Sequence, residues 1–172
     1  MKRTIALVAT ALVLTSALPI SAEAASTTNP YGTSTVDPAG PNEIIFTVAK
    51  GKKSVSFTAA KLAALKHSEI SIFEPFVKKR ESFTVIPMKT FFAMVGISPK
   101  DLVSTMALND YKFDATAKTF TDGSGYIAIA RDGKAISYDE GGPIRIVFPD
   151  SSSLKKNLDA WNWSLMKMAA KS

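Results

Sequence analysis

No cysteine occurs anywhere in the 172 residues of this chain. No disulfide can hold it, so packing, caps and turns must specify its fold. The same absence removes a Cys nucleophile, a thiol redox couple and Cys-based zinc sites. The constraint is sharper because the N-terminus reads as an export leader, and exported proteins often rely on disulfides. Lys2 and Arg3 form a positive start, Ile5 to Leu18 is an apolar stretch, and Ala22-Glu23-Ala24 supplies small residues where a signal peptidase reads. The apolar run is shorter than the roughly 20 residues that span a bilayer, and it ends at Pro19. Cleavage before Ala25 is expected. Residues 1–24 are then a leader, 25–42 a Ser/Thr/Pro/Gly-rich arm with little to bury, and 43–172 one folded domain. The expected location is the periplasm or the exterior, with no direct membrane insertion.

The formal net charge is +6. The lysines are scattered, and the one basic run, Lys78-Lys79-Arg80, is followed at once by Glu81. This reads as a solvated basic surface and not as a nucleic-acid site. His67 is the only histidine, so a His-rich metal site is excluded. Its place after a short helical stretch suits a cation near a helix C-terminus. The carboxylates are dispersed, Gly141-Gly142 lacks a phosphate-loop pattern, and no catalytic residue is assigned.

Glu43 to Ala49 and Ser54 to Phe57 read as strands around a Lys/Gly turn at 50–53. Thr58 can cap a short helix carrying Leu62 and Leu65. Ser68 to Phe76 alternates and stops at Pro75, Lys78 to Ser82 reads as a charged turn, and Phe83 to Ile86 as the next strand. Pro87 starts a helix with Met88, Phe91, Phe92 and Val95 on one face, closed by Gly96. Ser98-Pro99 suggests another short helix. Thr105 to Leu108 and Tyr126 to Ala130 read as strands, Arg131-Asp132-Gly133-Lys134 as a tight turn, and Ile144 to Phe148 as a strand. The tail stays open: Leu154, Leu158, Trp161, Leu165 and Met168 have helical spacing, while Trp161, Trp163 and Leu165 alternate as in a strand. Short strands with a few short helices between them mean α+β.

Polar and aromatic groups collect at the loop ends: Glu74, Phe76, Asn109, Tyr111, Arg131 to Lys134, Trp161 and Trp163. Each has a plain reading as a turn or core residue. Their order, however, carries a resemblance. Glu74-Pro75-Phe76 is followed by Phe83-Thr84-Val85-Ile86-Pro87-Met88, Ala107-Leu108-Asn109-Asp110-Tyr111 and Arg131-Asp132-Gly133-Lys134. Then come Gly141-Gly142-Pro143 through Phe148-Pro149, and Trp163 with Leu165 and Lys167. The series resembles the molybdopterin-binding domain of the sulfite oxidase family, in a small exported form, over residues 43–169.

That resemblance implies an α+β fold of mixed sheets and short helices, with a pterin cleft between sheets and loops. In the enzymes a cysteine thiolate ligates molybdenum, and its place falls near Phe73 or Glu74 here. A carboxylate is a poor replacement for a soft thiolate. The resemblance therefore implies a retained pterin cleft without the metal. Cysteine-free members resemble periplasmic pterin-binding proteins that act on the periplasmic domain of a membrane receptor controlling cyclic-di-GMP turnover. The expected ligand is a reduced pterin without molybdenum, and the expected ligand-binding residues are Glu74, Phe76, Asn109, Tyr111, Arg131 and Trp163. The alternative is a periplasmic molybdopterin-dependent oxidoreductase with a non-cysteine metal ligand. Against it, Lys2-Arg3-Thr4-Ile5 lacks the twin arginine expected where folded cofactor is exported.

Overall fold

The computed structural model describes residues 39–171. The expected leader at 1–24 and the expected arm up to residue 38 lie outside the described residues. From Phe46 onward the chain forms β1 (Phe46–Lys50), β2 (Lys53–Phe57), α1 (Ala59–Ala63), β3 (Ser68–Glu74), β4 (Lys79–Pro87) and α2 (Met88–Val95). It continues with β5 (Leu102–Ala107), β6 (Lys112–Thr116), α3 (Ala117–Asp122), β7 (Tyr126–Arg131), β8 (Arg145–Val147) and β9 (Leu165–Ala170). One sheet has the order β2-β1-β9-β5-β6 and the other β3-β4-β7-β8. The β1–β9 pair is parallel, and the other pairs are antiparallel. The architecture is the expected α+β arrangement of mixed sheets with short helices.

Local chemistry accounts for most element ends. The Thr58 hydroxyl accepts from Lys61 N at 3.3 Å and starts α1. Pro87 precedes α2, which buries Met88, Phe91, Phe92 and Val95. Gly96 then takes φ 76°, a left-handed closure that costs glycine little. The rings of Phe46, Phe57 and Phe91 meet at 5.2–5.8 Å and lock α2 onto the first sheet. Ile72, Val85, Ile127 and Ile146 of the second sheet join the same core as Val48, Val103 and Met168 of the first. Each such side chain contributes about 1.5–3 kcal/mol on full burial.

Residues 161–165 stitch the two sheets together. Ile146 N donates to Asn162 O and Leu165 N to Ile144 O, both at 2.9 Å, while Leu108 N donates to Ser164 O at 2.9 Å. The Asn162 amide donates to Thr105 Oγ1 at 3.1 Å. The seam places Trp161 and Trp163 where the sheets meet.

Several expectations need correction. β4 begins at Lys79, so the turn is 75–78 and not 78–82; the Glu74 carboxylate caps that turn, and Glu81 points inward along the strand. Ser98-Pro99 forms a turn and no helix, because the Asp101 carboxylate accepts from Ser98 N at 2.7 Å and the chain enters β5 directly. His67 lies four residues past the last residue of α1, and its Nδ1 sits 2.8 Å from the carbonyl oxygen of Leu65, which directly follows the Ala64 cap. β6 and α3 add a strand and a helix over residues 112–122, where the sequence pattern predicts no element. Thr116 caps α3 by accepting from Thr119 N at 3.1 Å. The tail is neither one helix nor one strand: a 3-10 turn at Leu158–Ala160 gives way to the irregular seam and then to β9.

Candidate functional site

A cleft of about 360 Å³ opens at the seam. That falls within the range of small-molecule sites. Three chain segments wall it. The turn after β3 brings Phe76, the end of β5 and the following turn bring Ala107, Asn109 and Tyr111, the 3-10 turn brings Leu158 and Asp159, and the seam brings Trp161 and Trp163.

The back of the cleft is rigid. The Trp163 ring meets the Phe76 ring edge-on at 4.8 Å. The Arg145 guanidinium carbon lies 4.1 Å from the centre of the Trp163 ring, a cation–π contact. Gly141, at φ 82°, packs so close that a Cβ there would lie 2.7 Å from the indole. Behind this layer, Glu74 is fully buried. Its Oε1 accepts from Arg145 at 2.5 Å, and its Oε2 accepts from Phe76 N and Val77 N at 2.7 Å each. Arg145 also donates to Glu140 O at 3.2 Å. One carboxylate thereby fixes both the turn that carries Phe76 and the cation beneath Trp163.

The front of the cleft is polar and more exposed. Asn109 Oδ1 accepts from Tyr111 N at 3.2 Å, with Asp110 at φ 64° between them. This uses the Asn109 oxygen, and the residue lines the cleft. The Tyr111 hydroxyl donates to Asp159 O at 3.1 Å and ties the two polar walls together. Partial burial, and after it the neighbouring Asp159 charge, push the Tyr111 hydroxyl above its ordinary pKa. Trp161 packs edge-on against Phe148 at 5.6 Å. Its indole N–H has no acceptor among the described residues.

Of the residues expected from the sequence, Phe76, Asn109, Tyr111 and Trp163 come together in the cleft. Glu74 and Arg131 do not line it. Glu74 lies behind the aromatic layer, and Arg131 pairs with Glu140 and with Glu81, the latter at 3.5 Å. Sequence reasoning missed Leu158, Asp159 and the part played by Arg145. Arg145 carried a signal: a charged residue between Ile144 and Ile146 in an apolar strand requires a buried partner. Trp161 and Trp163 do share the cleft, but through the irregular seam and not by strand alternation.

The donor set does not fit molybdenum. The chain has no thiolate to offer. Near the expected ligand position, Glu74 has both oxygens engaged by its own chain. Among the described residues no group of three or more His, Asp or Glu side chains could hold a metal ion. A flat heterocycle fits better. Trp163, Phe76 and Trp161 offer aromatic surface, and the Asn109 amide offers a donor.

No protein-family model matches the chain, and no curated protein matches it in sequence. Among solved structures it is similar to a chain of the sulfane dehydrogenase SoxCD from Paracoccus pantotrophus, with a TM-score of 0.61 and 12% identity. The match covers 82% of this chain and 43% of that one, so this chain spans less than half of the length of its neighbour. At this identity the likeness is one of fold, and it agrees with the sulfite oxidase-like fold class expected from the sequence.

Proposed function

We propose that this chain is an exported pterin-binding protein without molybdenum redox chemistry. It would present its ligand state to the periplasmic domain of a membrane receptor that controls cyclic-di-GMP turnover. One observation carries the reading: the fold holds an aromatic-walled cleft, and Glu74, near the position where the resemblance puts a metal ligand, has its carboxylate satisfied internally by Arg145 and two backbone N–H groups. Trp163 supplies a face for a pterin ring, Phe76 and Tyr111 border it, and the Asn109 amide donates to a ring acceptor. Support for the receptor contact comes from Phe76, Val77 and Leu158, which are 42–48% exposed beside the cleft. A partner seated there would touch the turn that Glu74 holds.

Fluorescence quenching and calorimetry with reduced and oxidised pterins test the binding step. Saturable binding is expected, and no binding up to millimolar concentration would refute the reading. Mass spectrometry of the denatured purified protein should also release a pterin. The alternative, a molybdopterin-dependent oxidoreductase with its metal on Glu74, has in its favour only the fold shared with a dehydrogenase chain. Against it stand the occupied Glu74 oxygens. Stoichiometric molybdenum in protein from a host that makes the cofactor would reverse the choice.

A further inference from the structure

The cleft has an uneven charge. Its lining includes one ionised side chain, Asp159, and no lysine or arginine. Arg145, behind the aromatic layer, lies beneath the Trp163 ring and is held by Glu74 and by Glu140 O. Asp159 is exposed and has no ion-pair partner among the described residues. Its backbone carbonyl is fixed by the Tyr111 hydroxyl, which holds this part of the wall at the rim.

An ionised carboxylate offers acceptors only. Its best partner is a pair of adjacent donors in one plane, which it can meet with both oxygens. The aminopyrimidinone edge of a pterin, an exocyclic amino group beside a ring N–H, is such a pair. A phosphate group gives the opposite result. It carries negative charge into a site whose walls hold a carboxylate and no cation, so it gains no partner and meets repulsion.

Building on the proposed pterin reading, we infer that Asp159 is the specificity residue of the cleft. It selects a planar ring with an amino/N–H donor edge and discriminates against rings that carry phosphate. Asn109, on the facing wall, donates to an acceptor elsewhere on the ring. Trp163 and Phe76 supply the apolar contact that any flat ring would use. Recognition therefore divides into shape from the back wall and hydrogen-bond polarity from the front.

The test compares pterin, lumazine and dihydroneopterin phosphate on wild-type protein and on Asp159→Asn, by calorimetry with thermal unfolding of both proteins. Lumazine keeps the ring shape but replaces the amino group with a carbonyl. Wild type is expected to prefer pterin to lumazine by at least about tenfold, the scale of a hydrogen bond to a charged group. Asp159→Asn should lose about tenfold in pterin affinity, leave lumazine nearly unchanged, tighten the phosphorylated ligand and unfold at the wild-type temperature. If wild type binds pterin and Asp159→Asn binds it equally well, this inference falls and the proposed function stands. If wild type binds no pterin, both fall.

Discussion

Glu74 and Asp101 are wired alike and sit in opposite surroundings. Each carboxylate takes one cation and closes one turn. Glu74 holds Arg145 at 2.5 Å and the N–H groups of Phe76 and Val77. Asp101 holds Lys50 at 2.5 Å and the N–H of Ser98. The side chains of the first pair are 0–1% exposed, and those of the second 19–29%. Water can replace the partners of Asp101. Nothing can replace those of Glu74, so the same arrangement that merely tidies a surface loop becomes, when buried, a condition for the back wall of the cleft.

The largest expected effect breaks the buried member. Glu74→Ala leaves Arg145 charged and buried without its carboxylate, and should cost about 3–5 kcal/mol in urea unfolding. Arg145→Met should cost about as much by stranding Glu74. Glu74→Gln with Arg145→Met should cost much less than the sum, because no lone charge remains. If Glu74→Ala cost no more than Asp101→Ala, burial would not be what separates the two sites.

The contrast also explains how much could be read in advance. Asp101's neighbour Ser98 is three residues away, and Thr58, Pro87 and Gly96 act within a single turn, so local patterns reveal most of them. Ser98-Pro99 misled because a cap signal and a turn signal use the same residue types. Glu74 and Arg145 are 71 residues apart, and no periodicity links them. β6 was invisible for another reason. It does alternate, with Phe113 and Ala115 packed against the core, but it is five residues long, lies at the sheet edge against β5 alone, and offers only one large apolar side chain, too little for a strand signal. Asp159 was hidden because the helical and strand spacings of the tail compete, and the 3-10 turn that carries it obeys neither.

Next in size is Trp163→Ala, which uncovers the buried pair from the cleft side. It removes a desolvated cation–π contact and the edge contact to Phe76, and should cost about 2–3 kcal/mol of stability. Pterin binding should weaken by about 1–3 kcal/mol in the protein that remains folded. Thermal unfolding run beside the ligand titration separates the two losses. A folded variant with unchanged affinity would remove Trp163 from the site and reduce its role to covering Arg145.

Tyr111→Phe tests the front wall, where the chemistry is closer to that of Asp101. The change deletes the hydroxyl that donates to Asp159 O and nothing else. Urea unfolding should register about 0.5–1 kcal/mol, the low end for one hydrogen bond that water can replace. Pterin affinity should fall in parallel if that bond holds Asp159 in place. A stability loss as large as that of Trp163→Ala would mean that the front wall is as fixed as the back.

The smallest effect belongs to Asp101 and appears as a pH dependence. The Lys50 hydrogen bond first, and the Ser98 N–H second, lower its pKa from 3.8 to about 2. A carboxylate depressed in the folded state binds protons more readily when unfolded. Its contribution is therefore complete above its ordinary pKa of 3.8 and lost as the pH falls through about 2. Asp114 and Asp150 are lowered as well, by hydrogen bonds from Ser104 and from Phe73 N respectively, so the whole protein should lose stability in acid. The part due to Asp101 is isolated by difference. Asp101→Asn should be less stable than wild type at neutral pH, and the gap in unfolding temperature should close between about pH 4 and pH 2. Moderate salt should narrow the neutral-pH gap, since this pair is open to solvent. A gap that persists unchanged at pH 2 would mean that Asp101 acts by loop geometry alone. The exposed member of the comparison would then owe nothing to its charge.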